Sequence, residues 1–264
     1  YGMNLNNSDG NFRNIAINNT LVSGLLLQNA NNPLVFSNIV LTNAPTPYEI
    51  RGQNLTANII AGYDFTDASV DKLYIRILGN LLANTTLGPD PLASGNSIWR
   101  IPGNLTVPTG ITLSVSDGAI VKFDLSQALF VNGNLVVGDG DGLGAKAVFT
   151  SVRDDSVGAI IDVTDPAAAR SDWLYIQLGN GSSLNMDNAT ISFMNRGIYL
   201  PSIAPISFSV TNTDITEFFE WGMDLIANTD ITYTLNTVSV TNGTRRDGIQ
   251  IGDSGARAIT VDFD

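Results

Sequence analysis

A short glycine-led motif recurs along this chain at a nearly constant interval, and it restricts the fold more than any other feature. The motif is Gly, apolar, any residue, apolar, and its copies GMNL, GLLL, GIYL, GMDL and GIQI begin at Gly2, Gly24, Gly197, Gly222 and Gly248. The first pair is 22 residues apart, and the last three copies are 25 and 26 residues apart. A period of about 20–50 residues is typical of repeat proteins, in which each unit buries its apolar face against its neighbours.

A second pattern keeps the same period in a different phase. Similar strand-like segments begin at Leu184, Phe208 and Tyr233, 24 and 25 residues apart. Their apolar residues alternate with polar ones, as expected for strands with one buried face. We therefore predict that equivalent residues of successive repeats stack on one another, in the columns Leu184, Phe208, Tyr233 and Ile191, Ile215, Val240.

The strands of each repeat are short because Pro or Gly interrupts them. In residues 101–123, IPGNLTVPTGITLSVSDGAIVKF, corners are expected at Pro102-Gly103, at 108–110 and at Asp117-Gly118. These residue types favour tight turns, which also separate the strands of β-sandwiches. The repeat decides between the two folds, and it predicts an all-β, single-stranded parallel β-helix. We expect roughly ten coils of about 22–26 residues, stacked about 4.8 Å apart into a rod about 50 Å long.

One solenoid domain, residues 1–264, is expected, because the period crosses the midpoint of the chain without a polar linker. The least regular segments begin at Asn43, Thr85, Gly138 and Asp165, and we interpret them as excursions from corners. Neither end shows a polar capping segment, although solenoids normally cap their open strand edges. We therefore expect the chain to be part of a larger protein or assembly, continued by further coils or by head-to-tail contact with another copy.

Several segments also resemble a known family. GNLTVPTGITLSVSDGAIVKF, LFVNGNLVV, AVFTSVRDDSVG and WLYIQLGNGSSLNMDNATISFMNRGIYL, together covering about residues 98–200, resemble the right-handed β-helix of large bacterial and archaeal surface proteins in the pectin-lyase-like superfamily. The resemblance implies a right-handed helix and a cell-surface, extracellular setting. It does not imply a reaction, because the superfamily contains both enzymes and inert rods.

Composition excludes several function classes. The chain has 25 acidic and 13 basic residues, a formal net charge of −12, and neither histidine nor cysteine. Nucleic acids and anionic membrane surfaces attract basic proteins, so neither is an expected partner. No apolar run is long enough for a membrane-spanning helix. Missing histidine and cysteine exclude Ser-His-Asp and Cys-His catalysis, disulfides and thiolate metal sites.

Three acidic strings raise the possibility of glycoside hydrolysis. The string NTD ends at Asp214 and at Asp230, and a DD pair is formed by Asp154 and Asp155. Similar strings occur in polygalacturonase-like members of the superfamily, but their Gly-His-Gly element is absent here. Asp214 and Asp230 are about two-thirds of a coil apart, which predicts different faces. Because Asp and Asn are common corner residues, we interpret these strings as structural.

The densest charged cluster is Arg245, Arg246 and Asp247, and Arg196 stands before the matching Gly197. A polysaccharide lyase could use such a cluster for its base and for binding calcium. The simpler interpretation is an exposed ion pair at a corner. Catalytic residues are therefore not assigned.

One Gly-rich segment could bind calcium. VGDGDGLG places Asp139 and Asp141 at alternate positions, and carboxylate oxygens are ligands that Ca²⁺ accepts. The segment lacks the bidentate glutamate of an EF-hand and the repetition of a calcium-binding nonapeptide coil. A flexible corner insertion is the alternative interpretation.

Eight Asn-X-Ser/Thr sequons are candidate glycosylation sites. Asparagine also forms ladders that hydrogen-bond from coil to coil, so these residues could instead be structural. The sequons begin at Asn6, Asn18, Asn54, Asn84, Asn104, Asn180, Asn188 and Asn242.

Together these features predict a non-catalytic extracellular rod, either structural or adhesive, that belongs to a surface protein or filament and could assemble end to end. Carbohydrate is a possible partner. The alternative is a polysaccharide lyase or glycoside hydrolase that acts on an acidic polysaccharide along the long face of the helix. No cofactor other than calcium is expected.

Overall fold

The computed structural model describes residues 1–6, 10–21, 23–28, 34–42, 46–51, 74–90, 97–161, 165–246, 248–254 and 259–263. These residues form a parallel β-solenoid with 25 strands and no helix. The first strands are β1 (Met3–Asn6), β2 (Gly10–Asn18), β3 (Ser23–Gln28), β4 (Leu34–Thr42), β5 (Thr46–Arg51), β6 (Tyr74–Asn80), β7 (Thr85–Leu87), β8 (Ile98–Ile101), β9 (Leu105–Val107), β10 (Thr112–Val115), β11 (Ile120–Phe123), β12 (Leu129–Val131) and β13 (Asn134–Val137). They are followed by β14 (Ala147–Ser151), β15 (Ile176–Leu178), β16 (Ser183–Met186), β17 (Ala189–Ser192), β18 (Arg196–Ile203), β19 (Ser207–Thr211), β20 (Asp214–Thr216), β21 (Trp221–Ala227), β22 (Ile231–Asn236), β23 (Ser239–Thr241), β24 (Ile249–Asp253) and β25 (Ile259–Phe263).

Three parallel sheets form the walls of the solenoid, and each later coil contributes one strand to each sheet. Sheet 1 contains β8, β11, β14, β17, β20 and β23, and it is extended through β6 to β5, β3 and β1. Sheet 2 runs from the end of β6 through β9, β12, β15, β18, β21 and β24. Sheet 3 contains β7, β10, β13, β16, β19, β22 and β25, and β2 pairs with β4 separately.

The predicted stacking columns are confirmed. Leu184 pairs with Phe208 and Phe208 with Tyr233, while Ile191, Ile215 and Val240 form the equivalent column of sheet 1. Within the first column, the rings of Phe208 and Tyr233 meet edge to face at 5.1 Å. Successive strands therefore bury the same position of each repeat, and this is why the motif recurs with the period of one coil.

The inward side chains of the three sheets form one continuous core along the described coils. Its members alternate with solvent-facing residues along each strand, as the short runs of the sequence predict. Within this core, the rings of Phe123 and Trp173 stack with their centroids 4.3 Å apart. Trp173 also donates its indole N–H to the carbonyl of Ser192 at 2.8 Å, so the buried ring leaves no unsatisfied polar atom.

Residues in the left-handed region form the corner between sheet 3 and sheet 1. Asn188 and Asn212 have φ values of 52° and 45°, and Thr237 has a φ of 52° at the same place one coil later. Asparagine tolerates this conformation, whereas a β-branched residue such as threonine rarely adopts it. The corner therefore explains why Asn recurs in this segment.

Within the described residues the solenoid makes about eight turns, slightly fewer than the roughly ten coils that a uniform repeat predicts. The difference arises where Asn134 pairs with Ser183, 49 residues later, although the neighbouring steps of sheet 3 are 22 and 24 residues. Excursions after Val137 and after Ser151 occupy these additional residues. The segments at Asn43 and Thr85, interpreted as excursions, instead contain the strands β5 and β7.

The second excursion covers part of the outer surface of sheet 1. Lys122 points outward from β11, yet it is fully buried because the excursion lies over it. Its ammonium donates to the carbonyls of Asp154 at 2.6 Å and Ala159 at 2.9 Å. Burial lowers the pKa of Lys122, and the two carbonyls accept hydrogen bonds from two of its three N–H groups.

Across the described residues, no helix is long and apolar enough to span a membrane.

Candidate functional site

A ladder of aromatic side chains lies on the outer surface of sheet 2. Phe130 and Tyr175 meet edge to face at 6.0 Å, and Tyr175 and Tyr199 lie 5.4 Å apart. All three rings are half-buried, so part of each ring faces solvent. We call this surface the aromatic face. It consists of Tyr175 and the outward residues of strands β12, β15, β18, β21 and β24, which are Phe130, Gln177, Tyr199, Asp224 and Gln250.

Asp224 is the unusual member of the aromatic face, because the residue is only 4% exposed although its position faces outward. One carboxylate oxygen forms an ion pair with Arg196 at 3.1 Å, and the other is buried without a hydrogen-bond partner. Burial raises the pKa of Asp224, while the positive charges of Arg196 and Arg246 lower it and the negative charge of Glu220 raises it further. The fold thus holds a carboxyl group that is less acidic than usual on a surface otherwise built from rings and amides.

Arginine residues border the aromatic face, at the corner that leads into sheet 2. Arg196 lies over the ring of Tyr199 at 4.6 Å and donates to a carboxylate oxygen of Glu220 at 2.8 and 3.0 Å. In the following coils, Arg245 and Arg246 lie over aromatic rings at 5.2 and 5.5 Å. We call this cluster the arginine corner and define it as Arg196, Phe219, Glu220, Trp221, Arg245 and Arg246.

The two arginines of the predicted corner ion pair contact aromatic rings. Arg245 and Arg246 are exposed, and their guanidinium groups contact Phe219 and Trp221 by cation–π interactions. Asp247, the predicted acidic partner, lies outside the described residues. The acid partners that the structure describes in this cluster, Glu220 and Asp224, both bind Arg196.

The Gly-rich excursion brings three carboxylates together. Asp139 and Asp141, predicted from their spacing, lie with Asp117 so that one oxygen of each is within 4.8 Å of the others. Asp139 accepts the backbone N–H of Asp141 at 3.1 Å, and this bond holds the pKa of Asp139 below its usual range. Burial and the neighbouring charge of Asp139 raise the pKa of Asp117, although the Asn188 amide opposes the shift.

Asp117 was missed because it lies one coil before the excursion. Its position is the matching corner after β10, so the register of sheet 3, rather than sequence proximity, brings it to Asp139. Asp187 supports the loop from the next coil, because its carboxylate accepts the N–H of Gly142 and the side-chain amide of Asn212, both at 2.9 Å. The cluster offers oxygen atoms of the kind that Ca²⁺ binds.

The acidic strings occupy structural positions. Asp154 is buried and accepts hydrogen bonds from the hydroxyl groups of Thr150 and Ser156, which fold the second excursion onto sheet 1. Asp214 begins β20 of sheet 1 and pairs with Lys146 at 2.7 Å, whereas Asp230 lies just before β22 of sheet 3. The two NTD strings therefore present their carboxylates on different sheets.

The candidate glycosylation sites differ in exposure. Asn188 is only 3% exposed, and its amide donates to Asp117 and to the carbonyl of Leu143, so the folded corner leaves no room for a glycan there. Asn54 lies outside the described residues. The other six are exposed: Asn6, Asn18, Asn84, Asn104, Asn180 and Asn242.

Three of the exposed sequon residues also connect coils. The side-chain carbonyls of Asn84, Asn104 and Asn180 accept backbone N–H groups 24–28 residues later at 2.9–3.0 Å. A glycan attaches through the amide nitrogen, so these bonds leave the attachment atom exposed. The coil-to-coil role and glycosylation are therefore compatible at these positions.

Sequence reasoning missed the aromatic face, although a signal for it exists. Aligning the strings LFV, YIQL, GIYL, GMDL and GIQI by their inward residues places Phe130, Gln177, Tyr199, Asp224 and Gln250 in one outward column. The period of the repeat is set by its inward residues, and the outward column follows only once their register is known. Asp224 in particular is an unremarkable residue of GMDL until the register places it beside Arg196.

The aromatic face and the arginine corner together provide ring surfaces, amides, exposed cations and a buried carboxyl group along one side of the rod. Such a combination suits polyhydroxylated ligands, since apolar ring faces pack against carbon atoms while polar groups fix the orientation. No protein family, curated protein sequence or solved structure matches this chain.

Proposed function

We propose that this chain is part of a non-catalytic extracellular rod that adheres to polysaccharide through its aromatic face. The observation that carries the proposal is the ladder of Phe130, Tyr175 and Tyr199, whose half-buried rings follow one another at 6.0 and 5.4 Å along the rod. Neighbouring apolar side chains that face solvent often mark an interaction site of a soluble protein. A stack of rings along the axis matches an extended polymer better than a compact ligand.

The proposal also includes the family to which the chain belongs. The resemblance of residues 98–200 to β-helical surface proteins of the pectin-lyase-like superfamily supports a cell-surface setting, and the acidic, cysteine-free composition is compatible with it. The β-solenoid fold agrees with the resemblance but is shared by proteins of many functions. Surface exposure would also place the six accessible sequons where a glycosylating host could modify them.

Axial assembly belongs to the same proposal. Strands β23, β24 and β25 each pair along one edge with a strand of the preceding coil, and within the described residues their other edges have no partner. Open strand edges pair readily with further strands. We expect light scattering and negative-stain microscopy to show head-to-tail oligomers of this chain, and a strictly monomeric particle at high protein concentration would contradict axial assembly.

An enzyme is the second candidate, and Asp224 is the observation that favours it. A carboxyl group with a raised pKa on a polysaccharide-facing surface is a feature of general acids in glycoside hydrolases. Against this role, Asp224 is 4% exposed, and both it and Glu220 are bound to Arg196. The adhesive function therefore agrees better with the geometry.

Binding and product assays separate the two candidates. Wild-type protein is incubated with neutral and acidic polysaccharides, including polyuronates, with Ca²⁺ and with a chelator. We expect retention on at least one polymer and no release of reducing ends or unsaturated products. Product release that Asp224→Asn abolishes, while Asp214→Asn does not, would replace adhesion with catalysis.

A further inference from the structure

One oxygen atom on the aromatic face is a buried acceptor without a donor. The side chain of Asp224 is 6% exposed; one of its carboxylate oxygens forms the ion pair with Arg196, and the other, Oδ1, makes no hydrogen bond within the described part of the chain. Buried polar atoms in folded proteins nearly always have a hydrogen-bond partner, so an exception needs an explanation. A ligand that supplies the missing donor is such an explanation, because the position faces outward.

Packing does not explain why a carboxylate stands at this position. Burying a charged oxygen without a donor costs stability, and a neutral residue would avoid that cost. The equivalent outward positions of the adjacent coils are neutral, with Tyr199 before Asp224 and Gln250 after it. Features that cost stability are expected mainly at functional sites. Asp224 is therefore a candidate contact of the ligand rather than a part of the scaffold.

The neighbours of Asp224 are groups that suit sugars. The half-buried ring of Tyr199 lies one coil before it, at the end of the ladder, and the half-buried Gln250 lies one coil after it. Neighbouring strands are about 4.8 Å apart, so the three groups follow one another closely along the rod. A pyranose offers an apolar carbon face to the ring and hydroxyl groups to the carboxylate and the amide.

We propose that Asp224 determines which polysaccharide the aromatic face binds, and that its free oxygen accepts a hydrogen bond from a hydroxyl group of a neutral polymer. This inference rests on the proposed adhesive function and names the class of its ligand. Acidic polysaccharides also carry hydroxyl groups, but their carboxylate or sulfate groups would bring negative charge close to Asp224 and Glu220. The formal net charge of −12 adds a repulsion of longer range, so a neutral polymer is the better match.

Side chains of the same surface cover the free oxygen, because Asp224 points away from the core. Gln250 occupies the next outward position, and the positive charge of Arg246 acts on the carboxylate from the following corner. Both side chains are long and reach solvent, so a change of rotamer opens the oxygen to a ligand. A hydroxyl group protrudes from its sugar ring and needs only a small opening. A glycosidic oxygen lies within the polymer, which is why the same burial argues against a general acid.

Acidic polysaccharide is the competing ligand, and Arg245 and Arg246 are the groups that would attract it. Their guanidinium groups already lie over aromatic rings at 5.2 and 5.5 Å. The third cation of the arginine corner, Arg196, is bound to Glu220 and Asp224. The free acceptor beside the ladder favours a neutral ligand, since an anionic group cannot supply its donor.

The proposed contact makes binding depend on the protonation of Asp224. Burial raises the pKa of Asp224, the positive charges of Arg196 and Arg246 lower it, and the negative charge of Glu220 raises it. A hydroxyl group donates best to the ionised carboxylate. The affinity should therefore be full above this pKa and fall as the pH decreases through it, and the fall should be absent in Asp224→Asn.

Calorimetric titration with defined polymers tests the inference. The neutral probes are soluble glucan, mannan and xylan, and the acidic probes are polygalacturonate and alginate. At pH 7 the wild-type protein should bind at least one neutral polymer about tenfold more tightly than either acidic one. Asp224→Asn keeps the shape of the side chain but removes its charge, and it should weaken that binding about tenfold, which corresponds to about 1.4 kcal/mol. Asp214→Asn, the same change on sheet 1, is the matched control and should keep the wild-type affinity.

Melting curves separate a contact of the ligand from a structural role. The inference expects Asp224→Asn to be at least as stable as wild type and yet to bind less tightly, a combination that a purely structural role does not produce. Preferential binding of an acidic polymer would overturn it. So would a folded Asp224→Asn variant with wild-type affinity and an unchanged pH profile, which would assign the free oxygen to an ordered water molecule.

The adhesive function is judged separately in the same experiment. If Tyr175→Ala weakens binding while Asp224→Asn does not, the aromatic face is the adhesive surface and the inference about Asp224 is wrong. Wild-type protein that binds none of these polymers would contradict the adhesive function itself, and the inference with it.

Discussion

Asp224 shows how the register of a solenoid gives an ordinary residue an unusual environment. Its neighbours in sheet 2 are Tyr199 in the preceding coil and Gln250 in the following coil, and Arg196 reaches it from the corner. The local sequence GMDL predicts only that the residue faces outward. Burial follows from the side chains of three coils, and it could not be predicted from the segment alone.

Replacing Asp224 with asparagine should stabilise the protein at neutral pH. Burial raises the pKa of Asp224 in the folded state above the value of about 3.9 in an unfolded chain, so folding disfavours the ionised form. This penalty is absent below the unfolded pKa and is complete once the pH has risen through the folded pKa. Urea unfolding should therefore show Asp224→Asn to be more stable than wild type at pH 7, with the advantage disappearing near pH 3.

Asp214→Asn is the control for this experiment, because Asp214 forms a partly exposed pair with Lys146. Such pairs contribute about 0–1 kcal/mol, so the change should have little effect at neutral pH. A destabilised Asp224→Asn at pH 7 would show that the ion pair with Arg196 outweighs the cost of burying the carboxylate.

At the scale of the strand, the sequence is a reliable guide wherever the repeat is regular. The columns of Leu184 and Ile191 were predicted correctly because each strand alternates strictly and each coil has nearly the same length. The prediction fails where the chain leaves the coil, since an excursion contributes residues without adding a turn. Asp117 likewise belongs to the acidic cluster but comes from a neighbouring coil, and the residue spacing within one segment cannot predict that contact.

A core substitution tests the register of sheet 1. Ile215 is fully buried between Ile191 and Val240, so Ile215→Ala should cost about 2–5 kcal/mol and lower the melting temperature clearly. The adjacent Thr216→Ala faces outward and should change stability by less than about 0.5 kcal/mol. Similar melting temperatures for the two variants would mean that the inward and outward positions are assigned wrongly.

Corner geometry predicts a stabilising substitution at Thr237. A β-branched residue with positive φ stores strain on the order of 1–3 kcal/mol, and the equivalent corners of the preceding coils carry Asn188 and Asn212. Thr237→Asn should therefore raise stability by about 1 kcal/mol. The protein should be made in a host that does not glycosylate asparagine, because the change creates a sequon with Ser239.

The reciprocal change, Asn212→Thr, should destabilise the protein. It introduces the same strain and also removes the amide that binds Asp187 at 2.9 Å. Unchanged melting temperatures for both variants would show that the corner relaxes around either residue.

Calcium binding remains a prediction for the Gly-rich excursion. If Asp117, Asp139 and Asp141 hold Ca²⁺, excess metal should raise the melting temperature relative to a chelator, because a ligand that binds only the folded state stabilises it. Asp139→Asn combined with Asp141→Asn should abolish the increase, and Asp214→Asn should preserve it. Identical melting curves of the wild-type protein with Ca²⁺ and with chelator would exclude a calcium role in stability.

At the scale of the whole molecule, one repeating coil produces walls with different chemistry. Inward residues repeat because they share one core, whereas the outward residues of the three sheets are free to diverge. Sheet 2 thus carries rings and a buried carboxyl group, and sheet 3 carries hydroxyl groups. The fold could be predicted from the periodicity, but the surfaces depend on which outward residues the register aligns.

The most direct test of adhesion is a binding titration with the polysaccharide that retains the wild-type protein best. Tyr175→Ala combined with Tyr199→Ala removes two rings of the aromatic face, and Ser207→Ala combined with Ser209→Ala is the control on sheet 3. Truncating central aromatic anchors costs about 2 kcal/mol or more, so the account predicts at least about a 30-fold loss of affinity for the tyrosine variant alone. Equal affinity of the two folded variants and the wild-type protein would contradict the assignment of the aromatic face as the binding surface.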